Sequence, residues 1–237
     1  MKKALILIPI IGVGALVVWM AVRFRSERTT SGPAPRVEAP IDIDAIRTKA
    51  EGGDAAAQAK LGSLYAKGQG ITNSYAQAAK WFRLAADQGN AEAQAGLGEL
   101  YEAGQGVPKD FSQALKLYRL AAVKGNAGAQ YTMGFLSEAG RGVPQDQVEA
   151  TRWFRLAAEQ GDPLSQYDLG QRCDLGVGTP ADRVEALKWL DLAAAQGQKD
   201  AAARYDQVKS KMSREEISEA KRRADAFTKE KKSSGSH

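Results

Sequence analysis

The chain has 237 residues, 26% of them charged and 43% hydrophobic, with a formal charge of +5, one cysteine and one histidine. A single cysteine excludes an internal disulfide, and a lone histidine at the last position, His237, excludes a His-based catalytic triad and a His-containing metal site. The basic excess is not on the body of the chain. Residues 1–36 carry six Lys/Arg against one acid, residues 198–237 eleven against seven, and the long stretch between sixteen against twenty, so no basic stripe is available for nucleic acid.

Ala4 to Val22 runs for 19 residues without a charge. As a helix it would span about 28 Å, close to the roughly 30 Å hydrocarbon core of a bilayer. Lys2 and Lys3 precede it, and Arg23, Arg25 and Arg28 follow. A cleaved signal peptide has a shorter apolar run and then a small-x-small site. Val13-Gly14-Ala15 fits that poorly, because Leu16 to Val22 beyond it is still apolar. Residues 1–25 are therefore expected to be an uncleaved single-pass anchor, a transmembrane helix, with cleavage and secretion as the alternative. Positive-inside counting slightly favours repeats facing the cytoplasm. The short Met-Lys-Lys start has instead the form of a bacterial export signal or signal anchor, and a periplasmic placement at the inner membrane is preferred. Residues 26–40, with Pro33, Pro35 and Pro40 and no apolar pattern, read as a semi-extended tether.

From Asp54 onward the chain repeats itself every 36 residues: Asp54, Asn90, Asn126 and Asp162 open four units. Gln58, Gln94, Gln130 and Gln166 share one column, and Gly62, Gly98, Gly134 and Gly170 another. Trp81, Leu117, Trp153 and Trp189 share a third. A fixed period of this length marks stacked units, none of which buries its apolar face alone. Each unit reads as two helices. Leu61, Leu64 and Tyr65 have i, i+3, i+4 spacing in the first, as do Ala78, Trp81 and Phe82 in the second. Ser74 with Gln77, Asp110 with Gln113, Asp146 with Glu149 and Asp182 with Glu185 have capping-box spacing, in which the Gln or Glu reaches back to the cap. Pro108, Pro144 and Pro180 fall just before these caps. Gly89, Gly125, Gly161 and Gly197 stand where a left-handed helix end is needed. Glycine inside a helix costs roughly 1 kcal/mol against alanine, so the recurrence at Gly62, Gly98, Gly134 and Gly170 implies close helix contact.

These columns, in unit 2 the residues Ala91 to Tyr101, Gly104 to Asp110, Ala114 and Ala121 to Asn126, resemble the Sel1-like repeat, an α-helical solenoid family related to tetratricopeptide repeats. The departures are Ser74 in the Asp column, Leu117 in the Trp column, and Ser137 and Cys173 in the Tyr column. The resemblance implies an all-α helical-repeat solenoid that binds proteins along a concave face lined by the first helices. Members of the family are often exported in bacteria. It also sets this chain apart from cysteine-rich exported members, in which each unit is stapled.

The expected organisation is thus an anchor (1–25), a tether (26–40), an N-terminal capping helix (41–53), repeats at 54–89, 90–125, 126–161 and 162–197, capping helices (198–228) and a disordered tail (229–237). Ser213 and Glu216 form one more capping box, opening a helix with Ile217, Ala220, Ala224 and Phe227 on one face. Cys173, in an apolar column, reads as a small buried hydrophobe. The Gly-x-Gly runs, such as Gly104 to Gly106, lack the preceding strand and following Lys-Ser/Thr of a phosphate loop and read as turns. No catalytic, cofactor or metal residues are expected, and no enzyme.

Partner choice is expected where the first-helix columns vary. One column is Ala59, Ala95, Tyr131, Tyr167, and another is Ser63, Glu99, Phe135, Gln171. Tyr131 and Phe135 share a helical face, with Tyr167 on the next unit, so Tyr131, Phe135, Tyr167, Glu99 and Gln171 are the candidate contacts for a protein partner. The competing reading has Tyr131 and Tyr167 packing between units. Arg172 replaces the leucines of its column (Leu64, Leu100, Leu136), which suggests an adaptation to the C-terminal cap. The expected function is a membrane-anchored scaffold in the bacterial envelope. A secreted adaptor, or an envelope glycan-binding protein or enzyme using the groove, is the alternative.

Overall fold

The computed structural model describes residues 41–234. The expected anchor (1–25), the tether (26–40) and residues 235–237 lie outside the described residues. Among the described residues there are eleven helices and no strand, and no helix is long and apolar enough to cross a membrane. Helix α1 (Ile43–Glu51) opens behind Asp42, whose carboxylate accepts the Ala45 N–H at 2.9 Å. Four helix pairs follow: α2 (Ala55–Lys67) with α3 (Tyr75–Asp87), α4 (Ala91–Ala103) with α5 (Phe111–Val123), α6 (Ala127–Ala139) with α7 (Gln147–Gln160), and α8 (Pro163–Leu175) with α9 (Arg183–Ala195). Helices α10 (Ala201–Lys209) and α11 (Arg214–Ser234) close the array. From α1 to α10 each helix packs on its chain neighbours, and α11 folds back onto α9. Helix α11 continues past Thr228, so the stretch from Lys229 to Ser234, expected to be disordered, is helical.

Side chains and glycines set the helix limits. Asp54, Asn90, Asn126 and Asp162 cap the first helices, accepting the N–H three residues on at 2.7, 2.9, 2.8 and 2.7 Å. Gly68, Gly104, Gly140 and Gly176 end them in the left-handed region. Ser74, Asp110, Asp146 and Asp182 cap the second helices in the same way. The reciprocal half of the capping box is not made there. The N–H groups of those four caps donate instead to the main-chain oxygens of Tyr65, Tyr101, Ser137 and Cys173, at 3.0, 3.0, 2.9 and 2.8 Å. The last turn of the first helix reaches each cap before the Gln or Glu side chain can. The two helices of a unit are therefore tied backbone to backbone, whatever side chain stands in the Tyr column. Only Ser213 and Glu216 complete the box, with bonds of 3.2 and 2.8 Å.

The mid-helix glycines sit under the large side chains of their partner helices. A Cβ added at Gly62, Gly98, Gly134 or Gly170 would lie 2.6, 2.9, 2.8 or 2.8 Å from the side chain of Phe82, Tyr118, Phe154 or Leu190 respectively. Those four side chains are buried. The neighbouring Trp81, Leu117 and Trp153 are half-buried, whereas Trp189 is 1% exposed because α11 covers it with Phe227, ring centroids 5.3 Å apart.

Units are joined by a ladder of buried glutamines. Gln58, Gln94, Gln130 and Gln166 donate from Nε2 to the main-chain oxygens of Ala50, Ala86, Ala122 and Ala158, at 3.0, 3.3, 3.1 and 3.2 Å. These oxygens lie in the last turn of the preceding helix, and each also accepts the N–H of the glycine three residues on, Gly53, Gly89, Gly125 or Gly161. The Oε1 of Gln58, Gln130 and Gln166 accepts from Gln88, Gln160 and Gln196 at 2.8, 2.6 and 2.8 Å. Unit 2 has Lys124 at that place. Its Nζ reaches the Gly89 oxygen at 2.6 Å, and Gln94 Oε1 is buried without a partner. Lys124→Gln is expected to raise stability by about 1 kcal/mol, because it supplies the missing donor to a buried acceptor. Chemical denaturation compares the two midpoints, and a loss of stability would refute the ladder as described.

Candidate partner-binding face

The face begins with what the first helices leave uncovered. Along the first variable column, Ala59 and Ala95 are buried while Tyr131 and Tyr167 are half-buried. Along the second, Ser63 and Gln171 are half-buried, Glu99 is open to solvent, and Phe135 is 49% exposed. Tyr131 and Phe135 lie four residues apart on α6, one turn along the same face. The Tyr131 ring rests against Phe154 with centroids 5.6 Å apart, and its hydroxyl lies near the Asp168 carboxylate of the next unit, whose charge, after burial, holds the phenol above its ordinary value. Tyr167 packs against the C-terminal core. Of the three aromatic candidates, only Phe135 presents its ring to solvent without a stacking partner among the described residues.

Between α6 and α8 lies a cavity of about 180 Å³ lined by Glu138, Asp168, Gln171, Arg172, Leu175 and Val177. Arg172 at its floor is 5% exposed. The guanidinium donates to Gln147 Oε1 and Thr151 Oγ1, both at 3.1 Å, pairs with Glu138, and lies 4.8 Å from the centre of the Phe154 ring. All four contacts are in unit 3. The substitution in the leucine column thus locks unit 4 onto unit 3, and the expected adaptation to the C-terminal cap is corrected.

Asp168 is pushed up to about 6, first by burial and then by the charge of Glu138, against the opposing pull of Arg172. Glu99 is also raised by desolvation, against the pull of Lys67. Asp168 holds its proton more tightly in the folded chain than in the unfolded one. The stability tied to that proton is fully present below the ordinary carboxylate value and is lost as pH rises through about 6. Asp168→Asn keeps the size and the polarity of the side chain without the charge. It is expected to stabilise the chain by about 1 kcal/mol at pH 7.5, after allowing for solvent screening, and by little near pH 4. Melting temperatures of the pair across that range check the sign.

Sequence reasoning placed the exposed ring and the shared face. It missed the approach of Tyr131 to Asp168 and the role of Arg172, since both depend on which side chains meet across a unit boundary. The oddity of an arginine in a leucine column was the available signal for the second.

The family model for the Sel1 repeat matches residues 55–90, 91–126, 127–162 and 163–198. No curated protein matches the chain. Among solved structures, the chain is similar to a Sel1 repeat protein from Oxalobacter formigenes at 35% identity and a TM-score of 0.66, over 70% of this chain and 48% of that one. It is also similar to a protective antigen of uropathogenic Escherichia coli strains that displays an SLR fold, at 42% identity and a TM-score of 0.59, over 66% of this chain and 34% of that one. The chain spans about half the length of the first and a third of the second. Each matched unit starts one residue after its capping Asp or Asn. Four consecutive family units, each folded as a helix pair on the next, make this chain a member of the Sel1 repeat family.

Proposed function

We propose that the chain is a membrane-anchored scaffold that binds a protein partner on the face of its first helices, with residues 4–22 in a bacterial inner membrane and the repeats on the periplasmic side. The observation that carries the binding reading is Phe135, a large aromatic ring 49% exposed in a column otherwise held by Ser63, Glu99 and Gln171. An exposed aromatic offers apolar area with little rotamer entropy to lose on binding. Tyr131, Tyr167, Glu99 and Gln171 flank it as the remaining contacts. The anchor rests on the apolar run from Ala4 to Val22 and its flanking Lys and Arg residues.

Phe135→Ala is expected to weaken capture of the native partner by about tenfold or more, the cost of losing a central anchor, and to leave the melting temperature nearly unchanged. A melting temperature lowered by many degrees with capture intact would make Phe135 a packing residue and move the site elsewhere. The anchor has its own check. The protein should stay with membranes through high-salt and alkaline washing with its first residues intact, and a phosphatase fused after His237 should be active. A mature chain beginning after Ala15 would favour the secreted adaptor instead.

A further inference from the structure

About 200° round α6 from Phe135, two residues on, stands Ser137. It opens into a cavity of about 370 Å³, within the usual range of small-ligand sites, roughly 300–1,000 Å³. Met133, Val143, Pro144 and Trp153 give it apolar walls, and Arg119 of α5 lies at its edge.

In unit 2 the corresponding space is filled from within. Tyr101, the counterpart of Ser137, packs into the core with Val107 and Leu117, the counterparts of Val143 and Trp153. Its hydroxyl accepts from Arg83 Nη2 at 3.0 Å. Arg119 is the counterpart of Arg83. It is exposed and has no hydrogen bond or ion pair among the described residues. The backbone is the same in both units, with the cap N–H of Asp110 or Asp146 bonded to the oxygen of Tyr101 or Ser137 at 3.0 or 2.9 Å. Unit 4, with Cys173 at this place, has a cavity of about 370 Å³ of its own, lined by Arg155, Glu185 and Trp189 and walled on one side by Phe227 of α11. Arg155 pairs with Glu185 at 3.8 Å, and Phe227 of α11 lies edge-on against Trp189, the counterpart of Trp153. Unit 3 differs from units 2 and 4 in setting beside its cavity both a half-open indole and a guanidinium without a partner among the described residues.

The polar rim narrows the chemistry. Arg119 can donate to a hydroxyl oxygen, and Glu149, which also lines the cavity and pairs through Oε2 with Arg152 at 3.4 Å, keeps Oε1 to accept a hydroxyl proton. Asp146 lines it too, its Oδ1 already engaged by the Val148 and Glu149 N–H groups. With Glu149 partly offset by Arg152, Asp146 and Glu149 on the rim still give no excess of positive charge for an anion, and they admit a neutral phenol, which is both donor and acceptor. We propose that this cavity receives a tyrosine side chain of a bound polypeptide, its ring taking the place that Tyr101 fills in unit 2 and its hydroxyl meeting Arg119. The site does not depend on the first-helix face.

Calorimetric titration of the full chain with N-acetyl-tyrosinamide tests this, with N-acetyl-phenylalaninamide and p-cresol as comparators. Saturable binding is expected on the order of millimolar, as suits one side chain. The phenylalanine probe is expected to bind about tenfold more weakly, having no hydroxyl for the charged group. Arg119→Met, a surface change that leaves the fold alone, should erase that preference. Ser137→Tyr should abolish binding and raise the melting temperature by filling the cavity from inside. Phe135→Ala should leave the titration unchanged, which separates this site from the first-helix face. The proposal is overturned if the tyrosine probe does not saturate or binds no better than the phenylalanine probe. It is equally overturned if binding survives Ser137→Tyr, or if p-cresol binds where N-acetyl-tyrosinamide does not.

Discussion

Gly134→Leu is expected to destabilise the chain by about 3 kcal/mol or more, and Gly128→Leu, on the same helix, to be close to neutral. The first Cβ alone would approach the Phe154 ring to 2.8 Å, and Phe154 is 1% exposed, wedged under Tyr131 and Arg172. The ring has no free direction, so the leucine must push α6 and α7 apart. At Gly128 the nearest atom to an added Cβ is Asn126 Oδ1 at 3.5 Å, an ordinary contact. There the better helix propensity of leucine, about 1 kcal/mol over glycine, works in favour of the substitution. Gly98→Leu should behave like Gly134→Leu, since Tyr118 stands at 2.9 Å and its hydroxyl is tied to Glu102 at 2.8 Å. Equal denaturation midpoints for Gly128→Leu and Gly134→Leu would show that the helices of a unit do not pack through this glycine.

Gln166→Leu should cost about 2–3 kcal/mol, and Gln94→Leu noticeably less. Gln166 is 1% exposed and has both ends engaged, with the Ala158 oxygen on one side and Gln196 on the other. Leucine is of similar size but removes the side-chain donor from that buried carbonyl, which keeps only the Gly161 N–H at 2.9 Å, and removes the acceptor of the Gln196 amide. Gln94 already has one end unsatisfied, and its remaining bond to the Ala86 oxygen is longer, at 3.3 Å. Removing a group that already bears a desolvation cost recovers part of it. In a Lys124→Gln background the Gln94→Leu penalty should rise toward that of Gln166→Leu. A double-mutant cycle measures the difference, and zero coupling would mean that residues 94 and 124 do not communicate.

The parts of the fold legible in the sequence were those written four times. The helix pairs, their caps and the packing glycines each recur at a fixed step, so any one unit could be checked against three others. The Gln column was equally visible, but its partners were not. Its oxygen meets a residue 30 positions on, and its amide a main-chain oxygen eight positions back, neither of which a helical period reports. The capping boxes were half right because the competing acceptor belongs to the backbone and leaves no mark in the side-chain pattern. Within the candidate face, Phe135 could be read as exposed because its column is polar elsewhere. Tyr131 could not be placed, since its surroundings include Phe154 across the unit and Asp168, a residue whose own column (Lys60, Gly96, Thr132) has no consistent chemistry. Ser137 was noticed as a departure from a column. What it leaves behind becomes visible only when Tyr101 and Arg83 are seen occupying the equivalent space.

The glutamine ladder bears on how such a chain can change length over evolutionary time. Every rung joins the same offsets, so excising one whole unit brings equivalent partners together. Loss of residues 91–126 would set Gln130 against the Ala86 oxygen and remove the mismatched Lys124 in the same event. Unequal crossing-over between units would then yield shorter or longer arrays without inventing a new boundary. The junction between units 3 and 4 is the exception. There Arg172 uses the particular Glu138, Gln147 and Thr151 that precede it, so an exchange at this boundary would leave a buried guanidinium without those partners. Phe135 and Ser137 both lie on α6, in the unit whose boundary with the next such an exchange would disrupt most.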